Sequence, residues 1–133
     1  MTIEEGLFAY LAARPEITNV IGSSPTRLYP VAAPQNPLAP FVVYQQINED
    51  RERAGSGPAG VVDATFNLSC WDQTYPGAKA LARLLRRELE NARGWWSDVE
   101  IGSVQANQTR DDFNGDLELF GALVVLTVQY REA

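Results

Sequence analysis

The chain has 133 residues, enough for one domain with a single hydrophobic core. Its 45% hydrophobic and 21% charged residues are typical of folded domains, and its formal net charge of −6 disfavours binding to nucleic-acid phosphates. No stretch is long and apolar enough to cross a bilayer, and the N-terminus lacks a basic region followed by an apolar one. We therefore expect a soluble protein that is made and used without export.

The sequence contains no histidine and a single cysteine, Cys70. Histidine is the commonest general base, the usual partner of serine and cysteine nucleophiles, and the commonest zinc ligand, so its absence argues against most catalytic sites. A lone cysteine can form neither an intrachain disulfide nor a cysteine metal cluster. We expect no enzyme, no metal and no cofactor, although hydrolysis by carboxylates alone stays open.

The N-terminal segment predicts a helix. Thr2 and Glu5 have the spacing of a capping box, in which each side chain accepts a hydrogen bond from the other residue's backbone N–H. Apolar residues recur behind them at helical spacing: Ile3, Leu7, Tyr10 and Leu11. Pro15 ends this helix, and residues 17–21 suggest one more helical turn. The proline-rich stretch that follows predicts an extended connector with at most a short edge strand at 27–31.

Two strands and a long link are predicted next. The stretch PFVVYQQINE is apolar on both faces near its start, which indicates a strand that is partly covered on both sides. The stretch VVDATFNLSCWD alternates cleanly, as a half-buried antiparallel strand does, and its inward set of Phe66, Leu68 and Cys70 makes the cysteine a core residue. The link between the strands, 49–60, exceeds the roughly two to five residues that a simple hairpin needs.

Residues 74–94 predict a second helix. Its apolar stripe is continuous and consists of Ala78, Leu81, Ala82, Leu85 and Leu89. Gly94 is expected to end the helix in a left-handed conformation. Trp95 and Trp96 follow, and we expect both to fold back over the core.

The C-terminal third predicts a second hairpin. VEIGSVQANQTRDDF indicates a polar strand, NGD at 114–116 a turn, and LELFGALVVLTVQYRE a strand apolar on both faces that lies inside the sheet. The element order is therefore α-β-β-α-β-β. We predict an α+β fold with a four-stranded antiparallel sheet and helices packed on one face, since that arrangement buries both helical stripes. Residues 1–133 are expected to form one domain.

Two loops are candidate contact sites. The 49–60 link carries mixed charges, which suit salt bridges across a subunit boundary better than phosphate binding, although an idle surface loop is the alternative. These charged residues are Glu49, Asp50, Arg51, Glu52 and Arg53. The second loop, DDFNGD, includes Asp111 and Asp112. It lacks the ligand spacing of a calcium loop, so an acidic hairpin turn is the better interpretation.

Two further surfaces come from the second helix and the strand before it. Arg83, Arg86 and Arg87 lie on the outer side of the helix. They form either a solvated face with helical ion pairs or a contact with an acidic neighbouring subunit. Trp71 lies opposite Cys70, on the polar side of its strand, and an exposed tryptophan there favours an interface.

The order of the pieces adds a resemblance. A helix is followed by RLYP, then by APFVVYQQI, a charged loop with glycine, a strand ending in CWDQTYPGAKALARLLRREL, and a final hairpin. The most specific parts are PFVVYQ at 40–45 and the W-x-x-T-Y-x-x-A-x-x-L pattern from Trp71 to Leu81. Over nearly its whole length the chain resembles the tail-completion proteins of long-tailed phages, also called tail terminator or tail-to-head joining proteins.

The resemblance implies a structural virion protein without chemistry. It implies a homo-hexameric ring at the head-proximal end of the tail tube, which stops the addition of tube protein and offers a surface to the head connector. DNA would pass through the ring without specific binding, no membrane would take part, and assembly would occur in the host cytoplasm. Exposed loops, here 49–60 and 110–116, would make the contacts between subunits and along the axis.

Two other functions stay open from the residues. One is a small α+β module with a ferredoxin-like sheet, which binds a ligand or a protein and acts as a dimer. The other is a histidine-free hydrolase with paired carboxylates, for which no spacing in the sequence gives support.

Overall fold

The computed structural model describes residues 2–23, 25–50, 60–90 and 92–131 of the chain. Within them lie three helices: α1 (Ile3–Ala12), α2 (Pro15–Ile21) and α3 (Tyr75–Leu89). The strands are β1 (Leu28–Pro30), β2 (Phe41–Asp50), β3 (Val61–Asp72), β4 (Gly94–Trp96), β5 (Val99–Asn114) and β6 (Leu119–Arg131). No helix of the described ranges is long and apolar enough to cross a membrane.

The strands form one sheet in the order β1-β2-β3-β6-β5-β4. All neighbouring strands are antiparallel except β1 and β2, which are parallel. The predicted α+β class is confirmed, and so is the position of the last strand, β6, inside the sheet. The predicted count of four strands is wrong, because β1 and β4 each add a three-residue strand at one edge. β1 lies within the short edge strand expected at 27–31, whereas β4 is not predicted.

Local signals explain where the helices begin. Thr2 and Glu5 form the predicted capping box: the Glu5 N–H donates to Thr2 Oγ1 at 3.2 Å, and the Thr2 N–H donates to Glu5 Oε1 at 2.8 Å. Pro15 is the first residue of α2, where a missing N–H costs no helical hydrogen bond. Thr74 caps α3 by accepting the Gly77 N–H at 3.1 Å.

The helices pack on one face of the sheet, which we call the helix face. The predicted stripe of α3 is confirmed, because all five of its residues are buried. The inward set of β3 is confirmed as well, since Phe66, Leu68 and Cys70 are fully buried. One continuous core joins these residues to Leu7 and Leu11 of α1. The opposite side of the sheet, which we call the open face, carries a mixture of polar and apolar residues.

The end of α3 differs from the prediction. Gly94 does not cap the helix, which ends at Leu89; instead Gly94 has a φ of 98° and begins β4. The chain turns back early because Trp96 is buried against α1, stacked on the Tyr10 ring with the centroids 5.1 Å apart. Trp95 is 64% exposed, so only one of the two tryptophans covers the core.

The first hairpin has longer strands than predicted. Glu49 and Asp50 belong to β2, where they pair with Ala64 and Asp63 of β3. These two acidic residues are therefore part of the sheet and not of the link. The other three predicted contact residues of this hairpin lie outside the described residues: Arg51, Glu52 and Arg53.

Candidate assembly surfaces

The two ends of the sheet differ in chemistry. At one end, called the hairpin end, the residues in register across four strands are Phe41, Trp71, Gly121 and Asp112. At the other, called the tip end, they are Asp50, Asp63, Gln129 and Ser103. One end of the sheet is therefore largely apolar and the other is polar.

Exposed apolar side chains are concentrated at the hairpin end. Among the described residues, nine large apolar side chains are exposed, and five of these lie at or beside this end. We call these five the apolar rim: Val31, Leu38, Tyr75, Phe113 and Leu117. They are between 39% and 67% exposed. Clustered exposure of this kind is typical of surfaces that contact another protein.

Part of the apolar rim borders a groove of about 360 Å³ on the open face. Phe41, Val43 and Trp71 line it, with the segment 31–37 on one side and Leu117 on the other. Trp71 thus lies on the polar side of its strand as predicted, and it is half-buried there. A concave, mainly apolar surface can receive an apolar side chain of a neighbouring protein.

The Trp71 ring is held over Gly121 of the adjacent strand. A Cβ atom at position 121 would come within 2.8–3.0 Å of three ring atoms, so the ring fits only above a glycine. Downstream of Trp71, Thr74 caps the N-terminus of α3, and Ala78 and Leu81 are buried on the side of α3 that faces the core. The W-x-x-T-Y-x-x-A-x-x-L pattern therefore describes how β3 passes into α3, and it is a structural motif.

Asp111 ties the β5–β6 hairpin to α3. Its carboxylate accepts 2.7 Å hydrogen bonds from Lys79 Nζ and from the Tyr75 hydroxyl. These hydrogen bonds, that of Lys79 first, lower the pKa of Asp111, and the bond to Asp111 raises the pKa of Lys79. The sequence does not predict this contact, because its partners are more than 30 positions apart. Asp111, a predicted contact residue, thus already binds two groups of its own chain.

Aromatic rings also pack together on the helix face of the same hairpin. The Phe120 ring packs against Tyr75 and Phe113, with centroid distances of 6.2 Å and 5.0 Å. These contacts join α3 to β5 and β6 at the hairpin end.

The turn of this hairpin is the predicted acidic one. Asn114 Oδ1 accepts hydrogen bonds from the backbone N–H groups of Asp116 at 3.0 Å and Leu117 at 3.1 Å. Asp112 is exposed, and its carboxylate accepts the Phe113 N–H at 2.8 Å. Throughout the described ranges, no group of three or more His, Cys, Asp or Glu residues could hold a metal ion.

A hydrogen bond and an ion pair stabilise the tip end. A β-bulge at Ile47 shifts the register of β2, so Glu49 turns toward the helix face. There Glu49 Oε1 accepts a 3.0 Å hydrogen bond from the Tyr130 hydroxyl. Nearer the other sheet edge, Arg131 Nε lies 3.3 Å from Glu100 Oε1. Glu49, a predicted contact residue, thus has a structural role at the end of the sheet.

The predicted arginine face of α3 is separate from both sheet ends. Arg83, Arg86 and Arg87 are all exposed. Arg86 Nε lies 3.7 Å from Glu90 Oε2, an exposed pair of the kind that contributes little to stability. Neither Arg83 nor Arg87 forms an ion pair within the portion of the chain that the structure describes. This face is available to an acidic partner.

A second contact that the sequence does not predict joins α1 to α3. Arg14 Nε lies 2.7 Å from Glu88 Oε1, and the Tyr10 hydroxyl donates to the Glu88 carbonyl at 2.9 Å. The Arg14 guanidinium also lies over the Tyr10 ring, 5.1 Å from its centroid. Because Glu88 is nearly buried, this contact fixes the helical layer and is not a docking surface.

Cys70 has no chemical role that the structure supports. Its side chain is fully buried, and burial strongly raises the pKa of its thiol. A buried thiol of this kind is inert because the thiolate is the nucleophilic form.

Comparisons with known proteins found one family model and a similar solved structure. A family model described as "Tail completion protein gp17" matches residues 5–131. Among solved structures, a chain of the particle described as "Virion of native gene transfer agent (GTA) particle" is similar, with a TM-score of 0.67 and 18% sequence identity. That match covers 94% of this chain and 91% of the other chain. At this identity it shows a shared fold. No curated protein sequence matches the chain.

Proposed function

Because the chain belongs to the family of the tail completion protein gp17, and is thus a structural protein of phage-type tails, we propose that it is a tail terminator. Copies of the chain form a hexameric ring on the head-proximal end of the tail tube. The ring stops the addition of tube protein and offers a joining surface to the head connector. The family match over residues 5–131 is the observation that carries this proposal.

The surfaces of the chain suit such a ring. A ring needs two different patches on each subunit, which meet head to tail. The apolar rim, the polar tip end and the arginine face are three surfaces of different chemistry on one chain. An annular protein between a tube and a connector must also bind a different partner on each side, and the contrast between the two sheet ends fits that need.

The predicted contact residues enter this proposal with different roles. The exposed Asp112, Arg83, Arg86 and Arg87 are available for contacts between subunits or along the axis. Asp111, Glu49 and Trp71 shape the surfaces beside them through contacts within the chain. The whole chain, 1–133, acts as one tail-terminator domain, and its single continuous core supports this.

DNA passes through the ring without specific binding in this proposal, and the net charge of −6 supports this by opposing adhesion of phosphates. The ring is assembled in the host cytoplasm and becomes part of the virion.

Light scattering after size-exclusion chromatography tests the ring. The purified chain should have a mass near six times 14.7 kDa, or should be a monomer that forms such a ring when tube protein is added. A dimer of fixed mass at all concentrations would contradict the proposal and would support the dimeric α+β module. The order of elements along the chain does not favour that module. Ferredoxin-like domains follow the order β-α-β-β-α-β, whereas this chain begins with two helices and has three strands before and after α3.

A further inference from the structure

Both edges of the sheet are only partly covered. β1 pairs with β2 at residues 42–44, and β4 pairs with β5 at residues 99–101. Beyond these pairs, β2 continues over residues 45–50 and β5 over residues 102–114. We call these segments the β2 edge and the β5 edge. Each segment is paired on its inner side, the β2 edge with β3 and the β5 edge with β6. Within the ranges that the structure describes, no strand lies on the outer side of either edge.

The middle of each edge lacks the charge and the proline that often prevent strand pairing. An exposed edge offers N–H and C=O groups to any passing strand, and monomeric proteins block it with lysine, proline, charge or a covering element. The stretch QQIN at 45–48 and the stretch SVQANQT at 103–109 contain no charged residue and no proline. The charged residues of the two edges lie beyond these stretches, at 49–50 in β2 and at 110–112 in β5. Each edge also contains a β-bulge, which can turn part of an edge away from a neighbour, but the uncharged stretches still have no partner strand on their outer side within the described residues. These edges are therefore suited to pairing with another chain.

The two edges also match each other in direction. β2, β3, β6 and β5 are antiparallel in succession, so β5 runs opposite to β2. When a second copy is placed beside the first by rotation about an axis along the strands, its β5 edge meets the β2 edge as an antiparallel pair. Repetition of this step gives a head-to-tail series, which closes into a ring when the rotation angle divides a full turn.

We propose that the β2 edge of one copy pairs with the β5 edge of the next copy, so that the sheets of neighbouring subunits become one continuous sheet. This inference rests on the proposed ring and names the contact that holds it together. Backbone hydrogen bonds fix the geometry of such an added strand, and facing amide side chains stabilise it. The partner of each edge is a second copy of this chain, because every copy carries both a β2 edge and a β5 edge.

Cysteine pairs test the contact in the assembled ring. Gln45 is exposed on the open face, and it is combined in turn with a cysteine at one of four exposed open-face positions of β5. The double variants combine Gln45→Cys with Ser103→Cys, Gln105→Cys, Asn107→Cys or Asp112→Cys. Cβ atoms paired across antiparallel strands lie about 4.5–5.5 Å apart, close to disulfide geometry. Under mild oxidation, at least one pair should give a covalent ladder up to the full ring.

A matched control combines Gln45→Cys with Ala80→Cys, at an exposed position of α3 on the side of the sheet opposite Gln45, and this pair should give no ladder. The native Cys70 is buried and should not take part. Rings that form normally but yield no ladder with any of the four β5 positions would overturn the edge contact and leave the terminator function standing. A wild-type chain that forms no ring, alone or with tube protein, would overturn both.

Amide hydrogen exchange of the unmodified protein gives an independent result. The amides at 45–48 and 102–109 that point away from the sheet should exchange at least about tenfold more slowly in the ring than in the dispersed chain, because pairing closes their hydrogen bonds. The amides that point inward are already bonded to β3 or β6. Equal exchange in the two states would overturn the edge contact even if every cysteine variant failed to fold.

Discussion

The Trp71 ring lies directly on the backbone of Gly121, and this contact shapes the groove beside the apolar rim. Gly121→Ala would place a Cβ atom within 3.0 Å of the ring and force it to move. Overpacking of this kind should lower the free energy of unfolding by about 1–3 kcal/mol, measured by urea denaturation, and change the near-UV circular dichroism of tryptophan.

Gly115→Ala is the matched control, because the nearest atom to a Cβ there is 3.9 Å away. It should change the free energy of unfolding by less than about 0.5 kcal/mol. Similar losses in the two variants would show that the Trp71–Gly121 contact carries no special constraint.

The Asp111 contact predicts a pH dependence. Hydrogen bonds from Lys79 and Tyr75 lower the pKa of Asp111, so the folded state favours its ionised form. The stability that this contact provides is present above the ordinary carboxyl pKa and is lost as the pH falls through the lowered pKa. The stability difference between the wild-type chain and Asp111→Asn should therefore shrink on acidification, as followed by thermal melts at a series of pH values.

Lys79→Met should raise the pKa of Asp111 toward its ordinary value, as measured by carboxyl NMR titration. A stability difference that stays constant across the acid range, or an unchanged pKa in Lys79→Met, would contradict the assignment.

At the scale of elements, α3 is the helix whose stripe is wholly buried against the sheet. Leu85 has no exposed surface, so Leu85→Ala should lower the free energy of unfolding by about 2–5 kcal/mol through lost burial and a residual cavity. Arg87→Ala on the outer side of the same helix should change it by less than about 0.5 kcal/mol. Urea denaturation of both variants checks this, and a loss for Leu85→Ala as small as that for Arg87→Ala would contradict the packing.

The link between β2 and β3 can be tested by shortening it. Deletion of residues 52–58 leaves residues 51, 59 and 60 to join the strands, and a three-residue connection is compatible with a hairpin. The far-ultraviolet circular dichroism should stay unchanged, while ring assembly, measured by light scattering, should be impaired. Normal assembly of the shortened chain would show that this link makes no subunit contact.

Periodicity predicted the long elements because they follow local rules. The capping box at Thr2, the alternation of β3 and the stripe of α3 each repeat within a few residues, and all were predicted. β4 and the early end of α3 were not, because both depend on Trp96 packing against Tyr10, more than 80 positions away in the chain. The same reason separates the candidate surfaces. The arginine face was predicted because helical spacing places its residues on one side of α3. The apolar rim was not predicted, because its residues come from separate segments that only the folded sheet brings to one end.

At the scale of the whole molecule, the order of elements predicted the family, because the resembling stretches lie at the junctions of the fold. Ring size and partners are not encoded in any single stretch. In the proposed ring, the number of copies depends on the angle between neighbouring subunits, and this angle is set by the shape of the whole subunit.

The central claim is that this protein ends tail-tube growth, and electron microscopy of tube polymerisation tests it most directly. Purified tube protein is polymerised with and without the chain, and tube lengths and end views are compared. The account predicts shorter tubes that carry a ring of six copies at one end and do not extend when more tube protein is added. Tubes of unchanged length with no added density at either end would contradict it.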